Sequence, residues 1–366
     1  MAEKGKHGTR VLLVLLLAYI FNFIDRQIIG ILAVPIKAEL ELSDTQLSLM
    51  GGIAFAIFYS GLAIPIAWLA DRRSRVNIIG LSVALWSLFT AACGLAQNFW
   101  HLFLARMGVG IGEAGGVAPS YALISDYFPK AQRARALAFF SLGIPIGSAL
   151  GVFFGGWIAS HLDWRSAFII VGLAGLPAAL LVKLVIREPV RGGQDGAAAP
   201  EAAPPFAIVA ATLARTPSFW LLSFGAASGS ILGYGLIFWL PSFFSRSFDF
   251  AAMAPILDAL PGWFTGGADP KLMQVSIFYG SIVLVGGVAG TWLGGWLGDR
   301  TGQGRASAYA LVPAICFLVA APVFAAGLFA TSLTLGWILF AVGQMLALAW
   351  PALLRKCHRL DPGFAS

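Results

Sequence analysis

Charge is what this sequence has least of. Only 11% of its 366 residues are Asp, Glu, Lys or Arg, against 58% hydrophobic ones. A water-soluble core cannot use that proportion of apolar residues, so a soluble globular class is excluded. Cysteine is scarce too. Cys93, Cys316 and Cys357 have neither metal-ligand spacing nor a disulfide framework. The histidines add no metal site: His101 and His161 fall in loops, His7 and His358 in the tails, and none is paired. A phosphate-binding loop with its Lys is missing, which argues against ATP as an energy source. The chain also lacks a nucleophile–base–metal constellation, so it is not read as an enzyme, and no cofactor is expected.

What the sequence has instead is long apolar runs. Ten are of membrane-spanning length, at about 11–36, 47–70, 76–97, 99–125, 133–160, 164–187, 217–244, 272–297, 306–330 and 333–354. Short connections make most of them antiparallel neighbours in an all-α membrane protein. The basic start before Val11 imitates a signal peptide, but no small-residue cleavage site follows and Asp25-Arg26 interrupts the run, so it reads as a retained first span. Residues 1–191 form a six-helix bundle, 192–216 a cytoplasmic linker rich in Gly, Ala and Pro, and 217–366 a second bundle with spans 7–10. In the outward loop after span 7, residues 254–260 read as a short surface helix.

The net charge of +7 is arranged by side of the membrane and not as a nucleic-acid-binding face. Of the 24 Lys and Arg, eighteen fall on one side. Lys37, Arg165, Arg246 and Lys271 fall on the other, and Arg26 and Arg106 lie in the membrane. The positive-inside rule then makes the N-terminus and the linker cytoplasmic.

Four charges stand inside spans 1 and 4. Arg106 and Glu113 are seven residues apart, which on a helix places them on one face roughly 10 Å apart along the axis. Asp25 and Arg26 lie at a similar depth in span 1. Each opposes insertion by roughly 2.5–3.5 kcal/mol, so protein or a wet cavity must surround them. Gly143, Gly147, Gly151 and Gly155 make a small-residue ridge on span 5, with a bend expected at Pro145; static packing and a moving gate both fit it. Spans 7–10 carry no full charge, and offer Tyr234, Trp239, Tyr279 and Gln344 at mid-span.

A repeat links the halves. Ala67-Trp68-Leu69-Ala70-Asp71-Arg72-Arg73-Ser74-Arg75 follows span 2, and Gly295-Trp296-Leu297-Gly298-Asp299-Arg300-Thr301-Gly302 follows span 8. These loops, with Arg106-x3-Gly110-x-Gly112, resemble the major facilitator superfamily. Within it, Asn22-x-x-Asp25-Arg26, Gly112-Glu113-Ala114 and Asp126-Tyr127-Phe128-Pro129 resemble the spinster-like lipid transporters. The resemblance implies a major facilitator fold, with two pseudo-symmetric helix bundles around a central cavity, and helices 11 and 12 are not visible in this chain. It assigns Asp71, Arg72, Asp299 and Arg300 to a cytoplasmic gate, with Asp71 acting against helix 11.

The expectation is alternating access about a mid-membrane site. Arg26 and Arg106 suit an anionic head group, because a guanidinium fork binds two oxygens while staying charged. Tyr234, Trp239, Tyr279 and Gln344 line an apolar-aromatic half that would take a hydrocarbon tail. Asp25 and Glu113 would be the proton-coupling carboxyls, since a carboxyl whose Arg partner changes between states can load and release a proton. The expected partners are a lipid-like or amphipathic substrate, protons and membrane lipids, with no nucleic acid, and the chain is expected to be a monomer in a bacterial inner membrane. Small organic anions or amphipathic drugs remain alternative substrates. A lipid-modifying membrane enzyme, a non-transporting sensor, and a static salt-bridge cluster are the competing readings.

Overall fold

Span 1 sets the pattern for the fold, since its apolar run is interrupted by a buried polar group of Asn22, Asp25, Arg26 and Gln27. A computed structural model describes residues 2–194, 206–267, 269–301 and 308–349. Among these, every regular element is helical. Helix α1 (Ala2–Ile31) leads through short α2 (Ala33–Glu39) and α3 (Asp44–Ser48) into a π-helical turn at Leu49–Ile53 and α4 (Ala54–Ala70). Next come α5 (Arg75–Cys93), α6 (Phe99–Glu113), α7 (Val117–Tyr127), α8 (Lys130–Ser141), α9 (Gly143–His161) and α10 (Trp164–Val185). The second half has α11 (Phe206–Ala214), α12 (Pro217–Ser247), α13 (Ala254–Asp258), α14 (Gly262–Thr265), α15 (Pro270–Thr301), α16 (Ala308–Leu328) and α17 (Leu333–Ala347).

Eight helical stretches among the described residues are long and apolar enough to cross a membrane. The other two expected spans differ. Span 4 is two helices, α6 and α7, broken at residues 114–116. Gly115 and Gly116 weaken helix there, and Pro119 in the first turn of α7 needs no N–H partner. Span 10 appears as α17, shorter than its apolar run, and residues from 350 onward lie outside the described ones. Span 5 divides at Leu142, where Pro145 has no N–H to offer the preceding turn. The linker read over 192–216 holds the apolar helix α11, and the surface helix expected at 254–260 is α13.

Glycines set how closely the helices approach. A Cβ built on Gly151 would sit 2.8 Å from the Ile24 Cα, and one on Gly147 2.8 Å from the Phe23 Cβ. The α9 ridge therefore packs on α1, within the first half. The next residue round, Gly156, faces Ser276 of α15, so α9 is wedged between α1 and the second half. At the C-terminal end of α9 the halves are tied by Trp157 Nε1 donating to the Phe264 carbonyl (3.1 Å) and Asp269 N–H donating to the Ser160 carbonyl (3.2 Å). Large apolar side chains such as Ile64, Leu81, Leu184 and Ile231 point away from the protein, as hydrocarbon-facing surface does.

Gly151→Val places two methyl groups where the α1 backbone runs. It is expected to destabilise the protein by about 1–3 kcal/mol, read as a lower thermal midpoint in detergent, whereas the same change at Gly52, which faces open space, leaves the midpoint within experimental scatter.

Candidate functional site

Arg26 is the centre of the polar layer. Its Nε donates to Glu113 Oε2 at 2.6 Å, with the Glu113 side chain fully buried and that of Arg26 7% exposed. Its Nη1 donates to the Tyr234 hydroxyl of α12 at 2.7 Å. Its Nη2 is buried and has no hydrogen-bond partner among the described residues. Rings of Phe23, Phe55 and Tyr59 stand 5.2, 5.0 and 4.6 Å from the guanidinium carbon, within the range where a ring face attracts a cation. Phe55 also lies 5.7 Å from Arg106.

Close helix approach makes this layer. A Cβ on Gly110 would lie 2.7 Å from the Phe55 carbonyl, and one on Gly112 2.9 Å from the Trp86 Cα. Bare backbone at these positions lets α6 press against α4 and α5, which brings Glu113 up to Arg26. Arg106 meets the main chain of Asp25 and not its carboxyl. Its Nη1 reaches the Asp25 main-chain carbonyl, at 3.4 Å, and among the described residues no ion pair involves the Asp25 carboxyl. Asp25 lies beside Thr90 of α5, and Asn22 beside Glu113. A void of about 10 Å³ adjoins Asn22, Trp86 and Ser120, room for about one water.

The structure thus brings together Arg26, Glu113 and Tyr234, with Asp25 and Arg106 buried next to them. It does not bring in the other aromatic candidates. Tyr279 is 2% exposed and packs on Phe244, with ring centroids 5.8 Å apart. Trp239 meets Phe238 edge-on. Gln344 of α17 faces Gly286 of α15. None of the three makes a described hydrogen bond or ring contact with Arg26 or Arg106. Phe55, Tyr59, Asn22 and Thr90 complete the layer and were not picked out as site residues. The i, i+4 spacing of Phe55 and Tyr59, stacked at 5.1 Å, is the signal that marks an aromatic face on span 2.

At the end of the bundle where spans 2 and 8 finish, the repeat has a physical form. Arg72 stacks over Trp68 at 4.0 Å and Arg300 over Trp296 at 5.2 Å, the same i, i+4 pair in both halves. The Asp71 main-chain carbonyl accepts from Arg191; the side chain of Asp299 lies outside what the structure describes. The residue that ties this face together is Arg75, third in a run of arginines. Its Nη1 meets Asp126 Oδ2 at 2.5 Å and its Nε meets Glu188 Oε1 at 2.7 Å. Burial pushes the Glu188 carboxyl up, but Arg75, the Val76 N–H and the Ser74 hydroxyl outweigh it and hold the group below its usual range. A pocket of about 350 Å³ opens here between Asp71, Arg75, Asp126 and Arg191.

Helices of membrane-crossing length around a buried ion-paired layer, with an Asp-Arg loop repeated at one end, define a polytopic membrane protein. Residues 15–363 match the model of the Major Facilitator Superfamily. A bacterial homologue of the human lysosomal transporter Spinster, solved inward-facing and unoccupied, superposes with a TM-score of 0.74 at 32% identity, covering 97% of this chain and 76% of that one. Its inward-facing, occupied form gives 0.72, covering 96% and 75%. An MFS-type efflux pump of Mycolicibacterium smegmatis is 33% identical over 302 residues, 81% of this chain and 65% of that protein. Protein spinster homolog 1 of Mus musculus is 32% identical over 321 residues, 86% of this chain and 59% of that protein. The chain belongs to the Major Facilitator Superfamily, on its spinster-like branch. It spans about three-fifths of the length of these two sequence relatives.

Because the folded carboxyl of Glu188 is held low, its contribution is complete above the unfolded value of about 4.3 and is lost as pH falls through the folded value. Glu188→Gln is therefore expected to lower the thermal midpoint at pH 7, with the gap to the parent protein closing as pH drops below about 4.

Proposed function

We propose that this chain carries an amphipathic, anionic, lipid-like substrate across a cell membrane by alternating access, with its N-terminus in the cytoplasm and with proton coupling through Asp25 and Glu113. One observation carries the reading: a buried guanidinium held by one carboxylate, whose Nη2 has no hydrogen-bond partner among the described residues. Such a group suits a phosphate or carboxylate, which bonds a guanidinium through two oxygens. Arg106 supplies a second positive group, with its buried Nε unpartnered. The apolar surface of α12 supports binding of a hydrocarbon tail. Glu113 holds Arg26 in the absence of substrate, and protonating it would free Arg26 for an anion, which links proton and substrate through one side chain. Asp71, Arg72, Asp299 and Arg300 serve the cytoplasmic gate, with Arg75 as its fixed point.

A second substrate class, small organic anions or amphipathic drugs, fits the same buried arginine, which would select the acidic ones. The two classes separate by competition.

Purified protein in proteoliposomes should exchange an anionic single-chain lipid in counterflow, and Arg26→Ala should reduce that exchange at least about tenfold, the scale of one lost charge-assisted contact. Glu113→Gln should flatten its dependence on pH. Exchange unaffected by both substitutions would contradict the reading.

A further inference from the structure

Arg26 points its Nη1 at α12 of the second half of the protein, and its Nη1–Nη2 edge is half occupied. Nη1 donates to the Tyr234 hydroxyl at 2.7 Å, while Nη2 is buried and unpartnered. A two-oxygen anion needs both nitrogens. The Tyr234 oxygen therefore stands where one oxygen of such an anion would sit. We propose that Tyr234 is a built-in stand-in for the substrate's head group: its hydroxyl occupies the anion position on Arg26, and the anion must displace it to bind. This rests on the reading of Arg26 as the anion-binding group.

Three features of the residue fit this role. A neutral phenol oxygen is a weaker acceptor for a guanidinium than a charged oxygen, so exchange favours the anion. Tyr234 is 47% exposed although its hydroxyl is engaged inside the protein, so the ring can swing away without vacating a packed core. It also stands between Gly233 and Gly235 in α12, and a Cβ built on either would meet nothing within 4 Å. The backbone around it is unencumbered, where the glycines of α6 and α9 are tightly enclosed. The exchange would also be felt by the whole protein. Arg26 belongs to α1 and Tyr234 to α12, so this hydrogen bond joins the two halves at the level of the charged layer. Displacing it releases that link when substrate arrives. Tyr234 is a positioning residue in this scheme, holding Arg26 in place until the anion takes over.

The test uses the purified full chain in lipid nanodiscs and two probes with one hydrocarbon chain, dodecyl phosphate and uncharged dodecanol, titrated by calorimetry. Tyr234→Phe keeps the ring and removes the competing oxygen, so it should bind dodecyl phosphate about five- to tenfold more tightly than the parent, with dodecanol binding unchanged. Arg26→Ala should lose the preference for phosphate over dodecanol. If Arg26→Ala loses that preference while Tyr234→Phe binds phosphate equally or more weakly, the stand-in role is overturned and the anion site remains. If Arg26→Ala binds phosphate as the parent does, the anion site itself is overturned. Should Tyr234→Phe fail to fold, Tyr234→Leu, which also lacks the hydroxyl, is read by the same criteria.

Discussion

A guanidinium buried among apolar helices is costly unless an anion meets it, and the pairing of Arg26 with Glu113 organises the first half of this protein. Arg26 is on α1 and Glu113 at the end of α6, 87 residues apart. Their 2.6 Å contact requires α6 to lie close to α4 and α5. Gly110 and Gly112 permit this, because any side chain there would strike the Phe55 or Trp86 backbone. The aromatic wall of Phe23, Phe55 and Tyr59 excludes water from the pair, which strengthens the attraction and makes loss of either partner severe. Packing and electrostatics are one feature here: glycines set the distance, and the ion pair makes that distance favourable.

A second polar cluster sits at the end of the bundle marked by the Asp-Arg loops, with the opposite arrangement. There a single cation, Arg75, holds two carboxylates, Asp126 and Glu188. Both clusters draw an acidic residue from the fourth span, Glu113 from α6 and Asp126 from α7. The span breaks between them, at residues 114–116. The halves of the protein meet along α9 and α15 and are tied at the C-terminal end of α9 by Trp157, Ser160 and Asp269. Solved relatives with the same helix arrangement are inward-facing.

Much of this was legible in the residues, for a physical reason. A charge in an apolar run has few places to go, so Arg26, Arg106 and Glu113 announced a buried layer without any coordinates. Four-residue glycine spacing on α9 announced a close helix contact. Partner choice was harder to read. Adjacent side chains on a helix diverge by roughly 100°, so the sequence left open whether Asp25 or Arg26 faced α6. The structure turns Arg26 to Glu113 and Asp25 toward Thr90. Tyr279 and Gln344 looked like cavity residues because they are polar at mid-span, yet a phenol ring packs as readily in an aromatic core, as Tyr279 does against Phe244. Arg75 was hidden among neighbours of the same charge. The break in span 4 was masked because glycine counts as neutral in an apolar run, though it is a poor helix former.

The account stands on the Arg26–Glu113 pair, and a double-mutant cycle measures it directly. Arg26→Met, Glu113→Leu and the combined variant are compared by unfolding free energy in detergent. Each single variant strands a buried charge and should cost about 3–5 kcal/mol, while the combined variant, with neither charge, should lie near the parent protein. Two single losses that simply add in the combined variant would mean that the charges do not meet, and would contradict the account.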